Sequence, residues 1–125
     1  MSEKTVVVVE DDALLRSDAV SMLDAAGLTV VDFATADETA VFMEQHAGKV
    51  AAVLTDVQLP GRLDGFDLAV KISISWPDVL VLITSGMERP SSLLMSEVTF
   101  LPKPWLALDV LTAMQNAADP VASVG

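Results

Sequence analysis

Three stretches of this chain, residues 5–9 (TVVVV), 50–55 (VAAVLT) and 79–84 (VLVLIT), are apolar almost without interruption and only five or six residues long. A strand with one wet face alternates apolar and polar side chains. Unbroken runs of this length therefore call for cover on both faces, the situation of strands inside a parallel sheet. Two weaker stretches, 28–34 and 98–101, are further strand candidates. Pro102 after the second suits an edge, where a missing N–H interrupts no ladder.

Between these stretches apolar residues recur at helical spacing. From 12 to 26, Leu15, Ala19, Met22, Leu23 and Ala26 share one face, and Gly27 follows as a stop. Thr35 with Glu38 three residues on is a capping signature, followed by Ala40, Met43 and Ala47 on one side and Gly48 at the end. A third helix is expected over 65–76, before Pro77. A fifth is expected from Pro104, with Leu106, Val110, Ala113, Met114 and Ala117 on its inward stripe. Only 89–97 remains for a fourth, and Pro90 with two serines at its start predicts a short or irregular element. Five strand-to-helix alternations predict an α/β chain with a parallel sheet between two helical layers. The expectation is one domain over 1–125, with a folded core from about residue 4 to residue 118.

Composition removes several classes of function. With no cysteine and a single histidine, His46, neither disulfides, thiolate chemistry nor a histidine-built metal site is available, so any metal must be held by oxygen. A net charge of −11 with only seven Lys and Arg opposes binding to nucleic acid or to anionic lipid. No apolar run approaches the ~18–20 residues that cross a bilayer, and Glu3 and Lys4 lead straight into the valines without a signal-peptide pattern. A soluble, cytoplasmic protein is expected, with no membrane or nucleic-acid partner.

In open parallel sheets the functional crevice lies beyond the carboxyl ends of the strands. Here those ends carry Glu10-Asp11-Asp12, Thr55-Asp56, Thr84-Ser85-Gly86 and Lys103-Pro104. Clustered carboxylates repel one another unless a cation intervenes, and an all-oxygen site beside phosphate is the usual setting of Mg²⁺. Each residue also has a plainer reading: Asp12 as a helix N-cap, Asp56 as a turn residue, Thr84 as a loop hydroxyl, Lys103 as a solvated charge. Their joint placement favours a site, and Asp12 stays open between cap and ligand.

The stretches VVVVEDDALLR, VLTDVQLPGRLDG, VLITSG and FLPKPW together resemble the response-regulator receiver family of two-component signalling, in its stand-alone form, over nearly the whole chain. The resemblance implies a flavodoxin-like, CheY-like doubly wound sheet of order 2-1-3-4-5. It implies Asp56 as phosphoacceptor, and Mg²⁺, or Mn²⁺ in its place, held by Asp11, Asp56 and the backbone carbonyl of Gln58, with Glu10 acting directly or through water. Lys103 would pair with phosphoryl oxygens, Thr84 would be the switch hydroxyl, and Phe100 the switch aromatic, with an ordinary core phenylalanine as the alternative. It further implies a cis Lys103-Pro104 bond, and Gln58 and Gly86 as residues tuning dephosphorylation. The implied partners are a sensor histidine kinase or histidine phosphotransfer protein and a downstream protein target. No turnover enzyme is implied, only Mg²⁺-dependent self-phosphorylation and autodephosphorylation. The competing classes are an aspartyl-nucleophile phosphatase, a pseudo-receiver and a flavodoxin-like nucleotide binder; the last lacks a glycine-rich phosphate loop.

The chain departs from the family pattern in three places. From Asp56 to Gly65 it has one residue more than usual, through PGRLDG, which points Arg62 toward the phosphoryl site or a partner. The stretch from Thr84 to Phe100 is about one helical turn short and lacks the customary Gly-Ala. Trp105, Leu108 and Leu111 lie off the inward stripe of the fifth helix, an arrangement that predicts a homodimer through the face of the fourth helix, fifth strand and fifth helix.

Overall fold

Val6, Val7, Val8 and Val9 are at most 2% exposed because β1 (Thr5–Val9) lies inside a sheet with a neighbour on either side. The computed structural model describes residues 4–85 and 98–118. Its sheet also contains β2 (Thr29–Phe33), β3 (Val50–Asp56), β4 (Leu80–Ser85) and β5 (Val98–Pro102), all paired in parallel in the order β2-β1-β3-β4-β5. The two weaker strand candidates are the edges, as their composition predicts.

Successive side chains of each strand point to opposite faces, and both faces are covered. Val7, Val9, Val53, Val81 and Ile83 pack beneath α2 (Ala36–His46) and α3 (Gly65–Ser75), against Met43, Leu68 and Ile72. Val6, Val8, Leu54 and Leu82 pack beneath α1 (Ala13–Ala25) and α4 (Ala107–Ala118), against Ala19, Leu23 and Val110. The unbroken valine runs are thus the sequence image of a three-layer sandwich. No helix among the described residues is long and apolar enough to cross a membrane.

The helix ends follow from local chemistry. Leu28 N–H bonds to Leu23 O and Gly27 N–H to Asp24 O, with Gly27 at φ +91, a Schellman close that sets Leu28 against the core below Leu23. Thr35 Oγ1 accepts from Glu38 N–H at 3.1 Å and donates to the Glu38 carboxylate at 3.0 Å, and a 3₁₀ turn (Ala47–Lys49) containing Gly48 follows α2. At α3 a full capping box forms, Asp64 and Asp67 each accepting the other's N–H at 2.8 and 3.0 Å.

One helix boundary and several packing expectations are corrected. The last helix begins at Ala107, not Pro104, because the Asp109 carboxylate takes the Leu106 N–H at 2.8 Å and Asp109 N–H bonds back to Leu106 O. Leu106, expected in the core, is 63% exposed, while Trp105, expected off the core, packs partly buried against the α1–α4 cluster. Leu15, expected on the inward face of α1, is half exposed: with Met22 and Trp105 it lines a groove of about 430 Å³ between α1 and the Lys103-Pro104-Trp105 segment that follows β5. The expected fourth helix (89–97), Gly86, the side chain of Ala117 and both chain ends lie outside the described residues and side chains.

Candidate functional site

The strand register brings the polar ends together. Val9 lies beside Thr55 and Asp56 beside Thr84, so Glu10, one residue past β1, Asp56, at the end of β3, and Thr84 share one edge of the sheet. Ser85 pairs with Pro102, which sets Lys103 at the same edge, and the Lys103-Pro104 bond that follows is cis.

One carboxylate oxygen from each of Glu10, Asp11 and Asp56 lies within 4.8 Å of the others. Glu10 is buried, Asp56 half-buried and Asp11 exposed, so the cluster opens outward on the Asp11 side. Lys103 reaches in from β5: its Nζ stands 3.3 Å from Asp56 Oδ2 and 3.6 Å from Glu10 Oε1. One ammonium thus pairs with two of three clustered carboxylates, and the uncompensated charge is what an oxygen-seeking divalent cation would offset. The donor set therefore fits Mg²⁺.

The backbone holds these groups in place. Asp56 Oδ1 accepts from Val57 N–H at 2.7 Å, and Thr55 Oγ1 donates to Asp56 O at 2.9 Å. Gly65 N–H bonds to Val57 O at 2.8 Å and ties the start of α3 to the end of β3. Arg16 Nη1 donates to Glu10 O at 2.8 Å while its Nε pairs with Asp32 on β2 at 3.0 Å, so the turn carrying the acidic pair is anchored to α1 and β2. Glu10 Oε2 accepts from Asp12 N–H at 3.1 Å. Asp12 itself is a cap, its Oδ1 taking the N–H groups of Leu14 and Leu15, which leaves Glu10 and Asp11 as the acidic pair facing Asp56.

Thr84 is buried, and its Oγ1 donates to Thr55 O across a long 3.4 Å. Phe100 is half-buried beside Ile83 in the larger core cluster. Gln58 is exposed on the loop after β3, residues 57–64. Arg62 is exposed on the same loop, and among the described residues its side chain makes no ion pair with the site. Sequence reading passed over Asp37, near the start of α2, whose carboxylate accepts from the N–H groups of Arg62 and Leu63. The signal available was only an acid in a first helical turn, which is common without such a partner.

Burial holds the Glu10 carboxyl above its usual 4.5; Asp56 adds to the rise, while the Asp12 amide and Lys103 oppose it. The folded protein thus binds a proton at Glu10 that the unfolded chain has released. Stability falls as pH rises through the window from 4.5 up to the raised value and stays lowered above it. Glu10→Gln should therefore raise the metal-free melting temperature at pH 7 and leave it nearly unchanged at pH 4. A melting series in a chelator over pH 4–8 checks this; equal gains at both ends would contradict it.

The model of the response regulator receiver domain matches residues 6–115. The transcriptional regulatory protein FixJ of Bradyrhizobium diazoefficiens is 32% identical over 90% of this chain and 55% of its own length. The sensor kinase CckA of Brucella abortus is 30% identical over 90% of this chain and 12% of its own. This chain therefore spans about half of the one relative and a small part of the other. The crystal structure of the receiver domain of the hybrid histidine kinase CckA is 30% identical with a TM-score of 0.74, covering 92% of this chain and 99% of that one. Strand order, the acidic cluster with its lysine, and a family match over nearly the full length agree: the chain belongs to the response regulator receiver domain family.

Proposed function

We propose that this domain is a phosphoacceptor switch of a cytoplasmic two-component relay. It takes a phosphoryl group on Asp56 from a sensor histidine kinase or a histidine phosphotransfer protein and signals to a downstream protein target. The observation that carries this reading is the placement of Lys103 Nζ between Asp56 and Glu10, beside a third carboxylate, at the open edge of the sheet.

Glu10, Asp11, Asp56 and the carbonyl of Gln58 are the residues that would hold Mg²⁺. When bound, the ion offsets the charge that otherwise sets carboxylate against phosphate. An Asp56 oxygen attacks phosphorus, forming a carboxylate O–P bond as the donor's N–P or O–P bond breaks and the electron pair leaves with the donor. Lys103 neutralises the phosphoryl oxygens and is already within reach of Asp56. Val57 N–H keeps the carboxylate from rotating out of line.

Thr84 would exchange its long bond to Thr55 O for a phosphoryl oxygen, and Phe100, one strand over, would turn inward into the space released. Phosphorylation then biases two packings of one fold. The output face includes α4, where Leu108 is 68% exposed and open to a second copy. A solution mass that stays monomeric across concentrations, with and without a phosphoryl mimic, would remove the homodimer.

Intact mass after incubation with acetyl phosphate tests the whole reading. One added phosphoryl group is expected with Mg²⁺ and none after chelation. Uptake unaffected by chelator would refute the metal's part, and no uptake under any condition would leave a protein-binding pseudo-receiver.

A further inference from the structure

We propose that Asp37 is a positioning residue for the phosphoryl site, clamping the loop that presents the Gln58 carbonyl; this rests on the Mg²⁺ reading above. The loop of residues 57–64 is held firmly at both ends. Val57 is tied to Asp56 and Gly65, and Asp64 is locked in the capping box of α3. Leu59 and Leu63 rest partly buried against the core, while Gln58, Pro60, Gly61 and Arg62 form an exposed crest.

Among the described residues, the crest is bonded to the body of the protein through Asp37 alone. Its Oδ2 accepts from Arg62 N–H at 3.0 Å and its Oδ1 from Leu63 N–H at 3.1 Å, two successive amides gripped by one carboxylate. The loop is shaped to that carboxylate. Gly61 has φ +103, a conformation that strains any other residue, and a Cβ there would come within 2.6 Å of Asp37 Oδ2 and push that carboxylate aside. Asp37 is itself fixed in the first turn of α2, where the helix dipole favours its charge and Thr35 caps the end.

The clamp lies where the chain carries one residue more than the family pattern. A longer loop has more conformations, and metal affinity falls in proportion to the share of them that is competent. Holding the crest at Arg62 and Leu63 restricts where the carbonyl of Gln58, four residues before Arg62, can point. Asp37 thereby affects the metal without touching it.

The test is Mg²⁺ binding by calorimetry on the full chain, with melting temperatures taken in chelator, for wild type, Asp37→Asn and Gly61→Ala. Asparagine keeps the shape but replaces one acceptor with an amide that cannot accept. Alanine at 61 pushes on the clamp from the other side. Both should bind Mg²⁺ about tenfold more weakly, the scale seen when a support behind a metal ligand is removed. Lower melting temperatures with unchanged Mg²⁺ affinity would overturn the proposal, since a merely structural tie behaves that way. Wild type failing to bind Mg²⁺ would instead overturn the reading beneath it. Should neither variant fold, amide exchange on wild type decides: Arg62 and Leu63 should exchange slowly and slow further with Mg²⁺, and no response to Mg²⁺ would refute the coupling.

Discussion

Asp56→Asn should abolish phosphoryl uptake and at the same time stabilise the metal-free fold. Uptake should drop on the order of 10³-fold or more, because removing the nucleophile leaves only binding and charge stabilisation behind. The neighbouring carboxylates are poor substitutes. Glu10 is buried and already bonded to Asp12 N–H, and Asp11 is exposed with no contact to Lys103 among the described residues. Asparagine still offers an acceptor to Val57 N–H, so the backbone at the end of β3 keeps its support. What disappears is one of three negative charges whose oxygens lie within 4.8 Å, together with its 3.3 Å pairing to Lys103; Lys103 keeps Glu10 at 3.6 Å, so the net relief is on the order of 1 kcal/mol at most.

Mg²⁺ should reverse that order. A ligand at a hundredfold over its dissociation constant stabilises the wild type by about 2.7 kcal/mol, and the variant, missing a carboxylate donor, should gain far less. Melting curves with and without Mg²⁺ should therefore cross, asparagine higher without metal and wild type higher with it. Intact mass with acetyl phosphate supplies the other half. Uptake retained by the variant would move the acceptor elsewhere, and curves that do not cross would remove Asp56 from the metal's ligands.

The parts legible in the sequence are those where one physical constraint dominates. Val6 to Val9 can only be covered on both faces, so the sheet, its edges and the gathering of Glu10, Asp56, Thr84 and Lys103 at one end follow from the pattern. The parts left open or misplaced are those where two local solutions compete. Asp12 could cap or coordinate, and two amides of the first turn of α1 take it as a cap. Leu106 and Trp105 exchange places because Pro104 marks a helix start in the sequence, whereas the side chain of Asp109 sets the start at Ala107. Asp37 was illegible for another reason: its partners are backbone N–H groups 25 and 26 residues away, and amides carry no mark in a sequence.

Gly65 shows how closely the fold and the site are bound together. Its backbone N–H bonds to Val57 O, and α3 starts directly against the end of β3. A Cβ at this position would meet Asp56 O at 1.9 Å, Asp56 C at 2.8 Å and Val57 Cα at 2.9 Å. All three are backbone atoms, with no flexible side chain that could swing aside. Gly65→Ala can be accommodated only by moving α3 away from β3, which opens the packing of Leu68, Ala69 and Ile72, now fully buried. Overpacking of this severity should cost about 3 kcal/mol or more, read as a lower urea midpoint with an unchanged slope. Gly48→Ala is the matched control. It has no heavy atom within 4 Å of the added carbon and no positive φ, so it should be neutral or stabilising by about 0.4–1 kcal/mol. Similar costs at the two positions would refute the close approach. The same displacement shifts the Asp56 backbone, so whatever Gly65→Ala protein remains folded should also take up phosphoryl more slowly than wild type, whereas folded Gly48→Ala should match it.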